Sequence, residues 1–507
     1  MNALEMYPVE ERLPHRERVV FTWYAVTVVA LYLAMMLVGL TMRLTQATWA
    51  DVGPHLFYEL LTMHGTAMVA NTASGALAVM WFFLRKYVPL HTGALIANYA
   101  LFVGGLAVIT ASVFWGNFAG MWTMLYPLPM HSMTIWSDNA AAAFIVGTLM
   151  IGIGTTVVFV DAALAISKVY GNPFRAMGLQ WLFGGRIDPA HPKTVVAATA
   201  IIIADSIGIL AGAIIMVMML LNIYAGLHLN ALFAKELTYW FGHMFINATI
   251  FMAVIGVFEL LPRYTGKPIP ITRPFLWAWA IAGLLVIVVF PHHLFMDAAQ
   301  PRWMAIMGQV ASYGEGFPVY LATAYEALRN IHHSRIRWTM PACLIALGMF
   351  GWSAGIVPAI LDGTIDINRL MHNTDWVPGH FHFYLILGVL PMLFAFFYHL
   401  IGERKASRAA SRIDGFGFPV YLIGGIIFVL AFLDAGRNSV PRRYAVHIAE
   451  WVPYDQAGSV GAILVVLGMC VFFARIIVGM LQHGGHPAPA PRGGALPEPA
   501  PAARATG

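Results

Sequence analysis

The chain has 507 residues, 59% of them hydrophobic and only 10% charged, with a mean hydropathy of +0.72. A water-soluble domain with so few charges would expose large apolar patches, so that class is excluded. The formal net charge of +5 is small, and the basic residues fall between apolar runs, which excludes a nucleic-acid footprint and points to membrane topology.

The first segment, 1–18, carries Glu10, Glu11, Arg12, Arg16, Glu17 and Arg18 and reads as a cytoplasmic stretch with no cleavable signal peptide. About twelve apolar runs follow, each long enough to cross a bilayer. They lie at roughly 19–45, 57–84, 92–115, 137–166, 194–226, 236–261, 274–299, 303–328, 338–361, 378–401, 414–436 and 457–481. The expected fold is therefore all-α, a polytopic membrane domain over 19–481. The stretch 167–193, punctuated by Pro and Gly, reads as a cytoplasmic loop with a short surface helix. Residues 482–507 are rich in Pro, Ala and Gly, cannot build a core, and read as a disordered cytoplasmic tail holding His483 and His486.

Alternate connections carry the Lys and Arg residues, among them Arg85 and Lys86, Lys168, Arg175, Arg263, Lys267, Arg329, Arg404 and Lys405. The opposite set has few beyond Lys235, Arg302, Arg369, Arg437, Arg442 and Arg443. Basic loops stay cytoplasmic, so both termini are placed there, in a bacterial inner membrane. Cys343 and Cys470 lie within apolar runs and read as small buried hydrophobes. The chain has no C-x-x-C-H, so it carries no covalently attached c-type haem.

Six histidines fall inside the spans: His64, His243, His292, His293, His380 and His382. Coordinating side chains at membrane depth are costly and mark function. Any one of them could instead make an interhelical hydrogen bond, but the orientation places all six in one layer of the outer half. His64 and His243 sit about ten ångströms below their outer helix ends at a rise of about 1.5 Å per residue. His380 and His382 are two apart, about 200° around a helix, so they face opposite sides and can serve two cofactors. Adjacent His292 and His293 can face one metal where the helix is distorted. Neutral imidazole suits haem iron, copper and non-haem iron.

The segments WFGHMFINA (240–248), PHHLFMD (291–297) and HNTDWVPGHFHF (372–383) resemble the three metal-binding stretches of haem–copper oxidase subunit I. LTMHGTAM (61–68) resembles that family's low-spin haem helix, and SVPRRY (439–444) its propionate-anchoring Arg pair. The resemblance spans essentially the whole membrane domain. It implies a low-spin haem on His64 and His382 and a high-spin haem on His380, both expected to be of b type. It also implies a non-haem metal, Fe or Cu, on His243, His292 and His293. Arg442 and Arg443 would meet propionates, with His372 and Asp375 nearby.

The choice of gas rests on the residues around the expected non-haem metal. Oxygen reductases of this family have a tyrosine four residues after the first metal histidine or just after the His pair. Here Asn247 holds the first place, and Leu294, Phe295, Met296 and Asp297 follow the pair. Tyr239 precedes His243 by four residues, is expected one turn nearer the outer surface, and is not counted as a substitute. Bacterial nitric oxide reductases resemble H-x-x-x-E plus S-x-x-E-x-x-P; the second pattern stands here as Ser312, Glu315 and Pro318, while Asn247 replaces the first glutamate. The expected catalytic residues are Glu315, Asn247 and His243, and the expected reaction is NO to N₂O. Reduction of O₂ to water is the alternative, and a histidine-lined transporter is a third class disfavoured by the shared depth of the imidazoles. A second subunit carrying a c-type haem or a copper centre is expected as electron donor. Asp205, Ser206, Tyr313 and Glu259 read equally as parts of a proton path or as interhelical pairs.

Overall fold

The computed structural model describes residues 13–483, apart from 122, 124–125, 128–130, 333, 337 and 402–407. Among these residues the regular elements are all helical, with one isolated bridge between Thr374 and Pro441. The main helices are α1 (His15–Gln46), α2 (Gly53–Leu84), α3 (Thr92–Phe114), α4 (Asp138–Tyr170), α5 (Lys193–Ala225) and α6 (Ala231–Thr265). They continue as α7 (Arg273–Leu285), α8 (Arg302–Tyr320), α9 (Met340–Asp362), α10 (Trp376–Leu400), α11 (Arg408–Arg437) and α12 (Val452–His483). Ten are long and apolar enough to cross a membrane, by length and composition, and the polytopic all-α reading holds.

Local chemistry sets the ends. Ser137, Asn230 and Thr272 each accept a backbone N–H three residues on, capping α4, α6 and α7. The seventh and eighth expected spans depart from simple helices. α7 ends at Leu285, and a 3₁₀ turn with Pro291, Phe290–Leu294, carries the His pair. Proline lacks the N–H that would continue an α-helix. α8 passes through a π turn at Leu321–Tyr325 before a last helical piece, Glu326–His332. α10 also contains a π segment, Phe383–Val389, directly after its histidines.

Other boundaries shift. α1 starts at His15, inside the expected 1–18 segment, because Pro14 is suited to a helix entrance and the charged first turn need not enter hydrocarbon. α12 runs to His483, inside the expected 482–507 tail; residues 1–12 and 484–507, His486 included, lie outside the described residues. The expected short surface helix is the single turn Pro173–Ala176. Neither cysteine is buried: Cys343 is half-buried and Cys470 exposed, since a thiol on a lipid-facing surface needs no burial.

The bundle has an interior. The apolar windows of α2, α6 and α10 are 89%, 89% and 83% buried, whereas those of the other seven spans are 39–50% buried. These three inner helices carry His64, His243, His380 and His382. The loop 439–443 docks on the entrance to α10: Asp375 N–H donates to Val440 O at 2.9 Å, and Arg442 N–H donates to Asn373 O at 3.1 Å.

Candidate metal centre

His64 and His382 face one another from α2 and α10, with ring centres 6.4 Å apart and planes 19° from parallel. The Nδ1 of His64 lies 2.7 Å from Met35 O, and that of His382 2.7 Å from Pro378 O. A carbonyl only accepts, so each Nδ1 carries the proton and each Nε2 keeps a lone pair. A Cβ on Gly39 would stand 2.7 Å from His64 Cε1, so only glycine lets this ring lie against α1. An iron bonded to two facing imidazoles at about 2 Å each separates the ring centres by roughly 6 Å, and the pair fits a bis-histidine haem.

A second cluster joins His243 on α6 to His292 and His293 on the 3₁₀ turn. One ligand atom from each lies within 4.8 Å of the others, with ring centres 4.1–5.2 Å apart. Three convergent imidazoles fit a divalent metal. Ser312 on α8 donates its hydroxyl to Gly308 O at 2.7 Å and therefore accepts from His292 Nδ1 at 2.8 Å, leaving His292 Nε2 for a metal. α8 comes this close because a Cβ on Gly308 would lie 2.7 Å from His292 N. The Asn247 amide meets His243 Nδ1 at 2.8 Å. Glu315, 7% exposed, has that same Asn247 side chain as its polar neighbour. The S-x-x-E face of α8 thus turns toward the histidine cluster at both its Ser and its Glu.

Both clusters line one cavity of about 610 Å³. His380 lines the same cavity; its Nδ1 is buried without a hydrogen-bond partner and its Nε2 is 3.6 Å from Asp362 Oδ2, too far for a hydrogen bond. Arg442, Arg443, His372 and Asp375 line the same cavity. Arg442 Nε and His372 Nδ1 are buried and unpartnered. Burial, then the Arg443 charge, pulls Arg442 down to about 10. Burial, then the charges of Arg442, Arg443 and Lys235, holds His372 down to about 4 and so neutral at pH 7. An orphaned guanidinium N–H over an apolar cavity fits an anionic group such as a propionate.

Three features escape sequence reasoning. Tyr239 stacks on His293, ring centres 5.3 Å apart and 16° from parallel. The sequence placed it relative to His243 on its own helix, but the His pair approaches from another element. Asp362 beside His380 carries no motif. A buried cluster of Arg43, Gln46, His447 and Asp455 gives no local signal at all. Of the remaining candidates, Glu259 binds Lys86 at 3.0 Å and Tyr87 at 2.9 Å and also pairs with Thr194, and Tyr313 bonds Thr364 at 2.6 Å. Both Asp205 oxygens are buried without a partner.

Residues 19–464 match the family described as cytochrome c and quinol oxidase polypeptide I. The chain belongs to the haem–copper oxidase subunit I family. Members bind haem and a further metal centre and act as catalytic subunits of respiratory membrane complexes. Similar proteins include the haem–copper oxidase subunit I+III of Aeropyrum pernix, 25% identical over 86% of this chain and 53% of that one. The chain thus spans about half the length of that relative. The cytochrome c oxidase subunit 1 of Thermostichus vulcanus is 23% identical over 91% of this chain and 83% of its own length. The ubiquinol oxidase subunit 1 of Acetobacter aceti is 24% identical over 89% and 70%. A cryo-EM structure of a haem–copper terminal oxidase dimer shares the fold, with a TM-score of 0.72 at 19% identity, covering 95% of this chain and 86% of that one.

Proposed function

We propose that this subunit reduces nitric oxide to nitrous oxide: two NO, two electrons and two protons give one N₂O and one water. The observation that carries the reading is Glu315, a buried carboxyl beside Asn247 in the cavity of His243, His292 and His293, where positions 247 and 294–297 offer no tyrosine. In this reading His64 and His382 hold a low-spin haem, His380 a high-spin haem, and the three clustered histidines iron or copper. When bound, these groups supply the electrons and the paired metal positions at which the gas reacts.

The chain's own side chains do the rest. Glu315 can hold a proton on its carboxyl and release it toward the cluster, which the Asn247 amide cannot. Asn247 orients His243, and Ser312 orients His292. Arg442 and Arg443 bind propionates, with neutral His372 and Asp375 beside them. The two cysteines and the missing C-x-x-C-H argue for a partner subunit with a c-type haem or copper centre as donor. The Lys/Arg alternation supports a bacterial inner membrane, a domain built on 19–481 and cytoplasmic termini.

One observation favours a second reading, reduction of O₂ to water: Tyr239 stacks on His293, where it could supply an electron and a proton. The names of the cytochrome c and ubiquinol oxidase relatives agree with it. Purified complex given one electron donor and assayed for NO and for O₂ consumption separates the two. Rapid O₂ turnover with little NO turnover overturns the NO reading.

A further inference from the structure

Where the end of α1 meets the start of α12 lies a buried polar cluster, two of whose residues, Arg43 and Gln46, line the same cavity as the histidines. Arg43, 3% exposed, sits with its guanidinium carbon 4.3 Å from the centre of the Phe432 ring. Phe432 in turn stacks on His382, ring centres 5.4 Å apart and 9° from parallel. Arg43 Nη2 is 3.0 Å from Asp455 Oδ1, and Nη1 is 3.7 Å from Asp375 Oδ2. The second Asp455 oxygen accepts from His447 Nδ1 at 2.6 Å, with both side chains fully buried.

Gln46 closes the ring, and its orientation is determined twice. Its Oε1 accepts from Arg43 Nη1 at 2.8 Å, and its Nε2 donates to Tyr444 O at 2.8 Å. The same Nε2 lies 3.3 Å from His447 Nε2. An amide nitrogen only donates, so His447 Nε2 must present a lone pair, and the geometry holds His447 as the neutral Nδ1–H form. A proton on Nε2 would set N–H against N–H. Relieving that requires turning the Gln46 amide, which breaks its bonds to both Arg43 and Tyr444.

We propose that His447 and Gln46 are positioning residues for the His382 site. His447 holds Gln46, Gln46 holds Arg43 on Phe432, and proton uptake by His447 is coupled to electron uptake at the iron between His64 and His382. The inference rests on the haem assignment above. The charged groups facing His447 are Asp455 and Arg43, with Asp375 across the cluster. A proton gained there adds one positive charge to a buried cluster and favours the reduced iron. By reciprocity, reduction favours the proton. Electron and proton come from the external donor and the adjoining outer solvent, and no covalent bond changes.

The test is a redox titration of the low-spin haem absorption in the purified complex, repeated at pH values from about 5 to about 8. The wild-type midpoint potential should fall as pH rises, and His447→Gln should lose that slope while keeping the low-spin spectrum. Gln46→Glu places an acceptor opposite His447 Nε2, so it should move the sloping region to higher pH, a shift that misfolding would not produce. An unchanged slope in both variants overturns the coupling alone. A wild-type complex with no low-spin haem signal overturns the haem assignment and the coupling together.

Discussion

Ser312 Oγ lies 2.8 Å from His292 Nδ1 while donating its own proton to Gly308 O, so one hydroxyl on α8 fixes the tautomer of a histidine on the 3₁₀ turn. Ser312→Ala removes that acceptor and leaves the ring free to rotate. Loss of such an outer partner typically weakens metal binding about 10–100-fold. Metal analysis of the purified variant should show depleted non-haem metal with both haems retained.

Glu315→Gln keeps the shape of the side chain but cannot pass a proton. NO turnover should fall by about 10²–10⁴, the range for removing a general acid–base group. Haem and metal content should match wild type. Turnover retained within about twofold would remove Glu315 from the mechanism.

The stacked pair of Tyr239 and His293 gives the sharpest separation of the two gases. Tyr239→Phe keeps the stack and deletes the hydroxyl. NO reduction should continue at close to the wild-type rate. A collapse of O₂ turnover in the same variant would support the oxygen-reductase reading.

His64→Ala or His382→Ala deletes one of two facing imidazoles 6.4 Å apart. Either variant should lose the six-coordinate low-spin spectrum while His380 and the histidine cluster retain their cofactors. Extracted haem should fall from two per chain toward one.

Burial raises Asp375 to about 6 against the pull of Arg43, from an ordinary value of 3.8. Between those values the folded protein keeps a proton that the unfolded chain has released, so stability falls as pH rises through that window. Below about 4 both states are protonated and the effect is absent. Asp375→Asn should flatten the dependence of thermal unfolding on pH between about 4 and 6. A wild-type slope in the variant would assign the effect to another group.

The sequence by itself determined the membrane fold, the histidine set and the S-x-x-E pattern. These are written in runs of about 20 apolar residues and in local spacings, which survive without knowledge of packing. Its span count was close, but it could not foresee that a proline-containing turn takes the place of the last part of the seventh apolar run, nor that helices begin and end beyond the apolar runs. Only the tertiary structure decided which helices are interior, that Glu315 meets Asn247, and that Tyr239 leans on His293. The cluster behind His382 shows why. Gln46 and His447 are 401 residues apart, and neither belongs to a motif. Hydropathy marks what enters the bilayer; the meeting of side chains depends on which face each helix turns inward, and that is settled by packing all the helices at once.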